Sequence, residues 1–452
     1  MHRLFPCLRP ARRGVHAPDQ RHRGDALRAL LPVLLLLVAG RADAADLQSM
    51  TVRLAIDPAT GAYSGVIKPT ARLAEGETLT LVTRDGAGTT LRGGLHEALI
   101  EGTADSEGLR ARDGFVFTGF ATDQWLPLPK TDKGPDLIRD RFTWDLTLVL
   151  PPGLVAVASG AAHPVEVLED GREAHRFVLD EPTPAYLLGF AAGPFRVRTE
   201  AHRRPDGTRV SLQYLLSTEA SFPERFGSTG PALAWMEHWT GVRYPDATYT
   251  QVLVPGRAAQ EKHGFALLGE ATVALADEAP EEAWYVIHEI AHQWFGRTLG
   301  PADWSENWLN EGFAVLATQL FSGTRWGAER GAAELTRART RYARVRSKDR
   351  DRPLRVPQWK TPGDSGGPIP YTKGLLVLDL LRRRVGADAF DASIQAIFRS
   401  SGPHERFSSE ALVSALAMTA QVDLADVIGT WIDGVGDPAV LLDAPPPLES
   451  AP

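Results

Sequence analysis

From Asp46 to about Glu200, apolar and polar residues alternate in short runs such as Thr51-Val52-Arg53-Leu54-Ala55-Ile56 and Thr78-Leu79-Thr80-Leu81-Val82, punctuated by Gly, Asp and Pro. A period of two broken by turn residues predicts antiparallel strands with tight connections. From about Pro223 the apolar period lengthens to that of a helix. Pro231 to Trp239, Glu281 to Gly296, Glu311 to Phe321, Tyr371 to Val385, Asp388 to Ser400 and Ser408 to Thr419 are the expected helices, the last with Ser408 as its N-cap. Tyr249 to Val254 and Phe265 to Leu275 interrupt them as strands, and the second is expected to present an edge to extended peptide. The pattern predicts an α+β protein. An N-terminal antiparallel β-domain occupies residues 46–200, a second domain with a mainly helical C-terminal half occupies 201–440, and residues 441–452 read as a disordered tail.

Residues 1–45 depart from this pattern. An arginine-rich stretch to Arg28 precedes the apolar run Ala29 to Gly40 and then Ala42-Asp43-Ala44, the layout of a secretory signal peptide whose apolar core is short for a membrane span. The expected location is therefore secreted or periplasmic, with no stable membrane anchor after cleavage. Cys7, the one cysteine, lies in this leader, so neither disulfides nor a cysteine ligand or nucleophile are expected in the mature chain. Of 49 basic and 56 acidic residues, eight arginines and three acids lie in the leader, which leaves 41 against 53 and a net charge of −12. An acidic chain disfavours a nucleic-acid partner. With 43% hydrophobic and 23% charged residues, 452 residues suffice for two or three packed cores. The arginine-rich stretch Arg337 to Arg355 reads as a solvated helix face and loop.

The chemistry is concentrated in His288-Glu289-Ile290-Ala291-His292, with Glu311 nineteen residues after the second histidine. Residues four apart on a helix share a face, so both imidazoles can approach one metal ion. Two histidines and a carboxylate are a catalytic zinc set that leaves a fourth position for water, which predicts one zinc per chain held by His288, His292 and Glu311. Glu289, on the same turn, is placed to take the proton of that water and pass it to a leaving group. Trp284, Ile287, Ala291 and Trp294 form the apolar stripe of a buried helix. Trp294, Trp304 and Trp308 read as core aromatics, and His238, His263 and His404 as surface or structural groups.

With its flanks, this region resembles the aminopeptidase N family of gluzincin metallopeptidases. The matching blocks are His288 to Gly296, Trp308-Leu309-Asn310-Glu311-Gly312-Phe313-Ala314 and Tyr371-Thr372-Lys373-Gly374. Upstream, Trp125-Leu126-Pro127, Arg141 to Pro151 and Tyr186 to Phe195 look like the family's N-terminal β-domain. The resemblance implies a thermolysin-like catalytic domain, a peptide or protein substrate, and Tyr371 as the donor that stabilises the oxyanion. A neutral phenol aimed at developing charge is suited to that work.

Two departures stand out. The family's Gly-x-Met-Glu-Asn strand, whose glutamate grips the substrate's free amine, is read here at Gly264-Phe265-Ala266-Leu267-Leu268, so Leu267 replaces the glutamate. Gly264, Phe265 and Ala266 are then the expected substrate-binding residues, and Glu270 or Glu261 could serve as the amine acceptor after a shift in register. Without such a shift, preference for a free amino terminus should be weak. Thr318 stands where the family commonly has a glutamate that orients a ligand histidine. The segment Gly363-Asp364-Ser365-Gly366-Gly367-Pro368 spells a serine-protease nucleophile motif, but its histidine context is only Ala161-Ala162-His163, and the surroundings read as a loop. The reading is a secreted zinc peptidase. The competing readings are a non-catalytic zinc-containing binding or scaffold protein and a zinc hydrolase of non-peptide substrates.

Overall fold

In the computed structural model, residues 46–73, 78–86, 88–91, 97–131, 134–218, 222–257, 259–356, 369–402 and 405–442 are described. The leader with Cys7, the Ser365 motif, His404 and residues 443–452 lie outside them. Strand β1 (Asp46–Ile56) shows why the alternating pattern folds as it does: Met50, Val52, Leu54 and Ile56 point into a core while Thr51 and Arg53 are exposed. It joins β2 (Ala62–Arg72), β3 (Ala98–Thr103), β4 (Arg141–Leu150) and β5 (Glu173–Pro184) in a seven-stranded sheet, in the order β5-β4-β1-β2-β3 with short strands beyond β5. The sheet is not wholly antiparallel. β1 and β4 run parallel, a pairing that a long connection permits and a tight hairpin forbids. Across this core Trp144, Leu146 and Leu148 meet Trp125, Tyr186 and Phe190.

A second sheet carries the functional edge. Its strands are β6 (Arg196–Arg203), β7 (Arg209–Leu216), β8 (Thr248–Val254), β9 (Ala259–Lys262) and β10 (Phe265–Gly269), in the order β6-β7-β8-β10-β9. The expected boundary at residue 200 thus falls inside β6, which belongs to this sheet. No compositional break marks that change of partner. β10 was expected to run to Leu275 and to offer an edge. Instead it ends at Gly269 and lies between β8 and β9, with both its edges filled, and a short helix begins at Glu270. Among the described residues β9 is the edge strand on this side of the sheet, and β6 is the edge on the other. A two-residue hairpin, His263-Gly264, joins β9 to β10, and Gly264 supplies the positive φ of +81° that the tight turn needs.

Helix α1 (Thr229–Thr240) crosses between β7 and β8, and α2 (Trp284–Ala291) packs against α1, β9 and α3 (Asn307–Trp326). α2 is shorter than expected, with a 3-10 turn at Pro280–Glu282 before it and His292 as its C-cap. Then come α4 (Ala328–Arg346), which takes in much of the arginine-rich stretch, a π-turn at Ile369–Lys373 and α5 (Gly374–Val385). Helices at Ala387–Ser400 and Ser409–Ala420 follow, the latter capped by the Ser408 hydroxyl accepting from the Ala411 amide at 3.2 Å. A helical turn at Pro438–Leu442 buries Leu441, so the chain is still packed where the tail was expected to begin. Phe117, Phe195, Val252, Phe265 and Leu267 form a smaller core between the N-terminal strands and the outer face of the second sheet.

Candidate metal centre and active site

α2 is buried on all sides from Tyr285 to Ala291, so polar groups on it must find partners inside the protein. His288 and His292 lie one turn apart, and their Nε2 atoms approach to 3.3 Å. Glu311, in the first half of α3, brings Oε2 to 3.4 Å from His288 Nε2 and 3.7 Å from His292 Nε2. A tetrahedral ion with bonds of about 2.0–2.1 Å separates its ligands by about 3.3–3.4 Å, so these three atoms are spaced as first ligands of one zinc. Glu311 Oε2 is buried and has no hydrogen-bond partner among the described residues, as a carboxylate oxygen reserved for a cation would be.

The surroundings set the ligands' state. His292 Nδ1 donates to Asn310 Oδ1 at 2.7 Å, with Phe295 O at 3.2 Å, which leaves Nε2 with its lone pair facing the site. Asn310 also donates through Nδ2 to Glu261 Oε1 at 3.2 Å. A Cβ on Gly296, where φ is +127°, would lie 2.7 Å from Asn310 Oδ1, so only glycine admits this bridge. Thr318, where the family commonly has an orienting glutamate, turns back to bond Ala314 O at 2.9 Å. Burial pulls the His288 imidazole down to about 4, with Glu261 opposing. Burial pushes Glu289 well above its usual range, with repulsion from Glu261 and Glu311 adding to it. Glu311 rises to about 7 through burial, His292 and the Tyr371 hydroxyl opposing and Glu261 reinforcing. Three carboxylates crowded in a dry site are electrostatically starved of positive charge, and a divalent ion is the group that fits.

Glu289, 3% exposed, turns Oε2 inward, where it has no hydrogen-bond partner among the described residues. Tyr371 is 38% exposed as a residue, yet its hydroxyl points inward and donates to Glu311 Oε1 at 2.8 Å. Burial and Glu311 hold that phenol protonated far above 10. The contact depends on two facing glycines: a Cβ on Gly374 would lie 3.2 Å from Gly312 Cα, so the start of α5, directly after the π-turn, approaches α3 as closely as backbones allow.

The expected substrate strand needs correction. Leu267 faces the small core with Val252 and Phe117, away from the metal ligands, because the hairpin turns at Gly264. Phe265 joins the same core, while Ala266 is walled into the inner strand opposite Glu261. Gly264 forms the turn, its amide donating to Gln293 Oε1 at 3.1 Å. Glu270 bonds the Ser217 hydroxyl at 2.5 Å and lines a cavity of about 890 Å³ with Arg110, Arg225 and Arg257, none of them a residue of the metal centre. The carboxylate at the site is Glu261. It is 4% exposed, it lies on an edge strand, and its oxygen, a Glu289 oxygen and a His292 ring nitrogen lie within 4.8 Å of one another. Besides the Asn310 bond it accepts a short hydrogen bond from Gln260 Nε2. The sequence pattern points to Glu261 only through a shift in register, and nothing in it assigns a role to Asn310. The available clue was His263-Gly264, a turn dipeptide that closes one strand and opens the next.

Among the other histidines, His263 is buried between Thr183 Oγ1 at 3.1 Å and Glu181 at 3.7 Å. Trp294 and Trp308 are core residues whose indoles donate to Val242 O and Ser409 Oγ, and Trp304 packs on Phe120.

Residues 225–431 match the peptidase family M1 domain. Aminopeptidase N of Streptomyces lividans is 26% identical over 80% of this chain and 42% of its own length, and Aminopeptidase M1 of Arabidopsis thaliana is 25% identical over 66% and 35%. The chain therefore spans less than half the length of these relatives. Transcription initiation factor TFIID subunit 2 of Caenorhabditis elegans is 26% identical over 55% of the chain and 24% of its own length. Among solved structures, an M1 zinc metallopeptidase from Deinococcus radiodurans superposes with a TM-score of 0.69 at 24% identity, covering 89% of this chain and 96% of that one. A variant of it bound to a Tyr-Ser-Ala substrate gives 0.68. The matched M1 domain spans the zinc-spaced residues, the β-structure before it shares the fold of that neighbour, and the chain is similar to the aminopeptidase N family of gluzincins across both.

Proposed function

We propose that the protein is a secreted or periplasmic zinc aminopeptidase, with one zinc per chain held by His288, His292 and Glu311. The observation that carries the reading beyond the family likeness is Glu261, a buried carboxylate on an edge strand beside Glu289 and His292. A substrate pairing with β9 would bring its amino terminus to this acceptor, a charge-assisted contact that selects free amines. This reverses the expectation of weak selectivity that followed from reading Leu267 at the glutamate's place.

Zinc, when bound, supplies Lewis acidity toward the scissile carbonyl and the attacking water. Glu289 accepts the water's proton at an oxygen that no described residue partners and returns it to the departing amine. The Tyr371 hydroxyl is the neutral donor for the oxyanion. Asn310 holds His292 in the ligating tautomer and keeps Glu261 in place.

The test compares Tyr-Ser-Ala with its N-acetyl form, in wild type and in Glu261→Gln. A free-amine preference of about a hundredfold in kcat/KM, erased in Glu261→Gln with zinc retained, is expected. Equal hydrolysis of the two forms by wild type would overturn the aminopeptidase reading, and no hydrolysis by a zinc-loaded protein would favour a scaffold.

A further inference from the structure

A lysine is an unexpected occupant of a packed interface, because removing an ammonium from water costs several kcal/mol unless other acceptors replace the hydration. Lys262 follows Glu261 on β9, and it is fully buried. Its Nζ donates to two backbone carbonyls, Gly119 at 2.9 Å and Tyr186 at 2.7 Å, both in the N-terminal β-structure. The opposite wall is cut to fit its stem: a Cβ on Gly189 would lie 2.8 Å from Lys262 Cδ. The backbone is held as well. Lys262 O accepts from Gln293 Nε2 at 2.9 Å, and the next amide, His263 N, donates to Leu187 O at 2.9 Å.

Successive strand residues point to opposite faces, so a clamp on residue 262 fixes the orientation of residue 261. Gln293 ties the strand to the tail of the zinc helix, while the Lys262 ammonium ties it to the N-terminal strands. With Glu261 as the glutamate of the family's Gly-x-Met-Glu-Asn motif, Lys262 stands where that motif has asparagine.

We propose that Lys262 is a positioning residue for Glu261: its ammonium, seated on the Gly119 and Tyr186 carbonyls, fixes the edge strand at the place where the Glu261 carboxylate can receive a substrate's free amine. The proposal rests on the reading of Glu261 given above. A carboxylate–ammonium contact is effective only within hydrogen-bond reach, so a strand loosened by an ångström forfeits much of it.

The experiment measures kcat and KM for Tyr-Ser-Ala and N-acetyl-Tyr-Ser-Ala, zinc content and thermal unfolding in wild type, Lys262→Met, Lys262→Asn, Glu261→Gln and the double variant Glu261→Gln/Lys262→Met. Lys262→Met keeps the stem and removes the ammonium. It is expected to lower the free-to-acetylated ratio of kcat/KM by about tenfold or more, chiefly through KM for the free peptide, with zinc retained. The double variant should show no further fall in the ratio beyond Glu261→Gln, because both changes act through one carboxylate. A purely structural lysine would lower the melting temperature and leave the ratio alone. If Glu261→Gln collapses the ratio while zinc-loaded Lys262→Met keeps it, the positioning role is overturned and the Glu261 reading stands. If Glu261→Gln itself leaves the ratio unchanged, both fall. Should Lys262→Met fail to fold, Lys262→Asn, which restores the family's polar residue without reaching either carbonyl, carries the same comparison.

Discussion

Glu289 and Glu311 lie in the same buried space and differ in what they face. Glu311 Oε1 accepts a hydrogen bond from the Tyr371 hydroxyl while its other oxygen points at the two imidazoles, and Glu289 Oε2 has no partner among the described residues. Replacing Glu289 by Gln keeps the shape and removes the proposed proton acceptor, so turnover should fall by at least about a hundredfold with zinc content unchanged by elemental analysis. Loss of zinc together with activity would show that Glu289 serves the fold instead. A second expectation concerns pH. Glu311 rises to about 7 in the zinc-free site, whereas His288, pulled down to about 4, is already neutral above that. Zinc must then compete with a proton on Glu311 below pH 7, so apparent affinity should fall by up to about tenfold per pH unit on acidification and flatten above 7. Chelator competition between pH 5.5 and 8 measures this, and a constant affinity across that range would contradict it.

At the scale of elements, the π-turn that presents Tyr371 needs an anchor. Lys373, fully buried, donates to Arg352 O at 2.8 Å and Gly434 O at 3.3 Å and pairs with Asp351 at 3.5 Å. Asp351 in turn accepts from the Tyr342 hydroxyl at 2.6 Å. Lys373→Met should lower kcat by about tenfold and have almost no effect in a Tyr371→Phe background, a coupling that a steady-state double-mutant cycle reads directly. Additive losses would assign the lysine to general stability.

The same elements explain what could be read from sequence. His288, Glu289 and His292 are local, spaced by the pitch of one helix, and Glu311 and Tyr371 sit in motifs that carry their own context. Glu261 was hard to read because its face depends on where a hairpin turns, and a one-residue slip in a strand exchanges its two faces. The apolar run after Gly264 looked like an exposed edge because a strand buried on both faces has no alternation to betray it. The helix period of 281–296 overran because apolar residues continue past His292 into a turn that packs just as deeply.

Across the whole molecule, a buried guanidinium helps join the N-terminal strands to the catalytic part. Arg297, 1% exposed, pairs with Asp246 at 2.5 Å and with Glu181 of β5 at 2.9 Å. Arg297→Met should destabilise the protein by about 2–3 kcal/mol in urea unfolding, less than for a fully buried pair because both carboxylates remain about one-third exposed. A change below about 0.5 kcal/mol would mean that the pair merely balances its desolvation.

The β9 edge, finally, acts as a ruler. β9 is four residues long, and just past its end the backbone is already taken by Leu187 O. Only two or three substrate residues can find main-chain partners there, and each further residue of a peptide hangs free of the sheet. Efficiency should climb from dipeptide to tripeptide and then level off, so that a hexapeptide series with a constant amino-terminal half gives nearly one value of kcat/KM. A steady rise to six residues would mean that the cleft extends beyond the strand. Such a short rail would also present little backbone for a second copy of the chain to pair with.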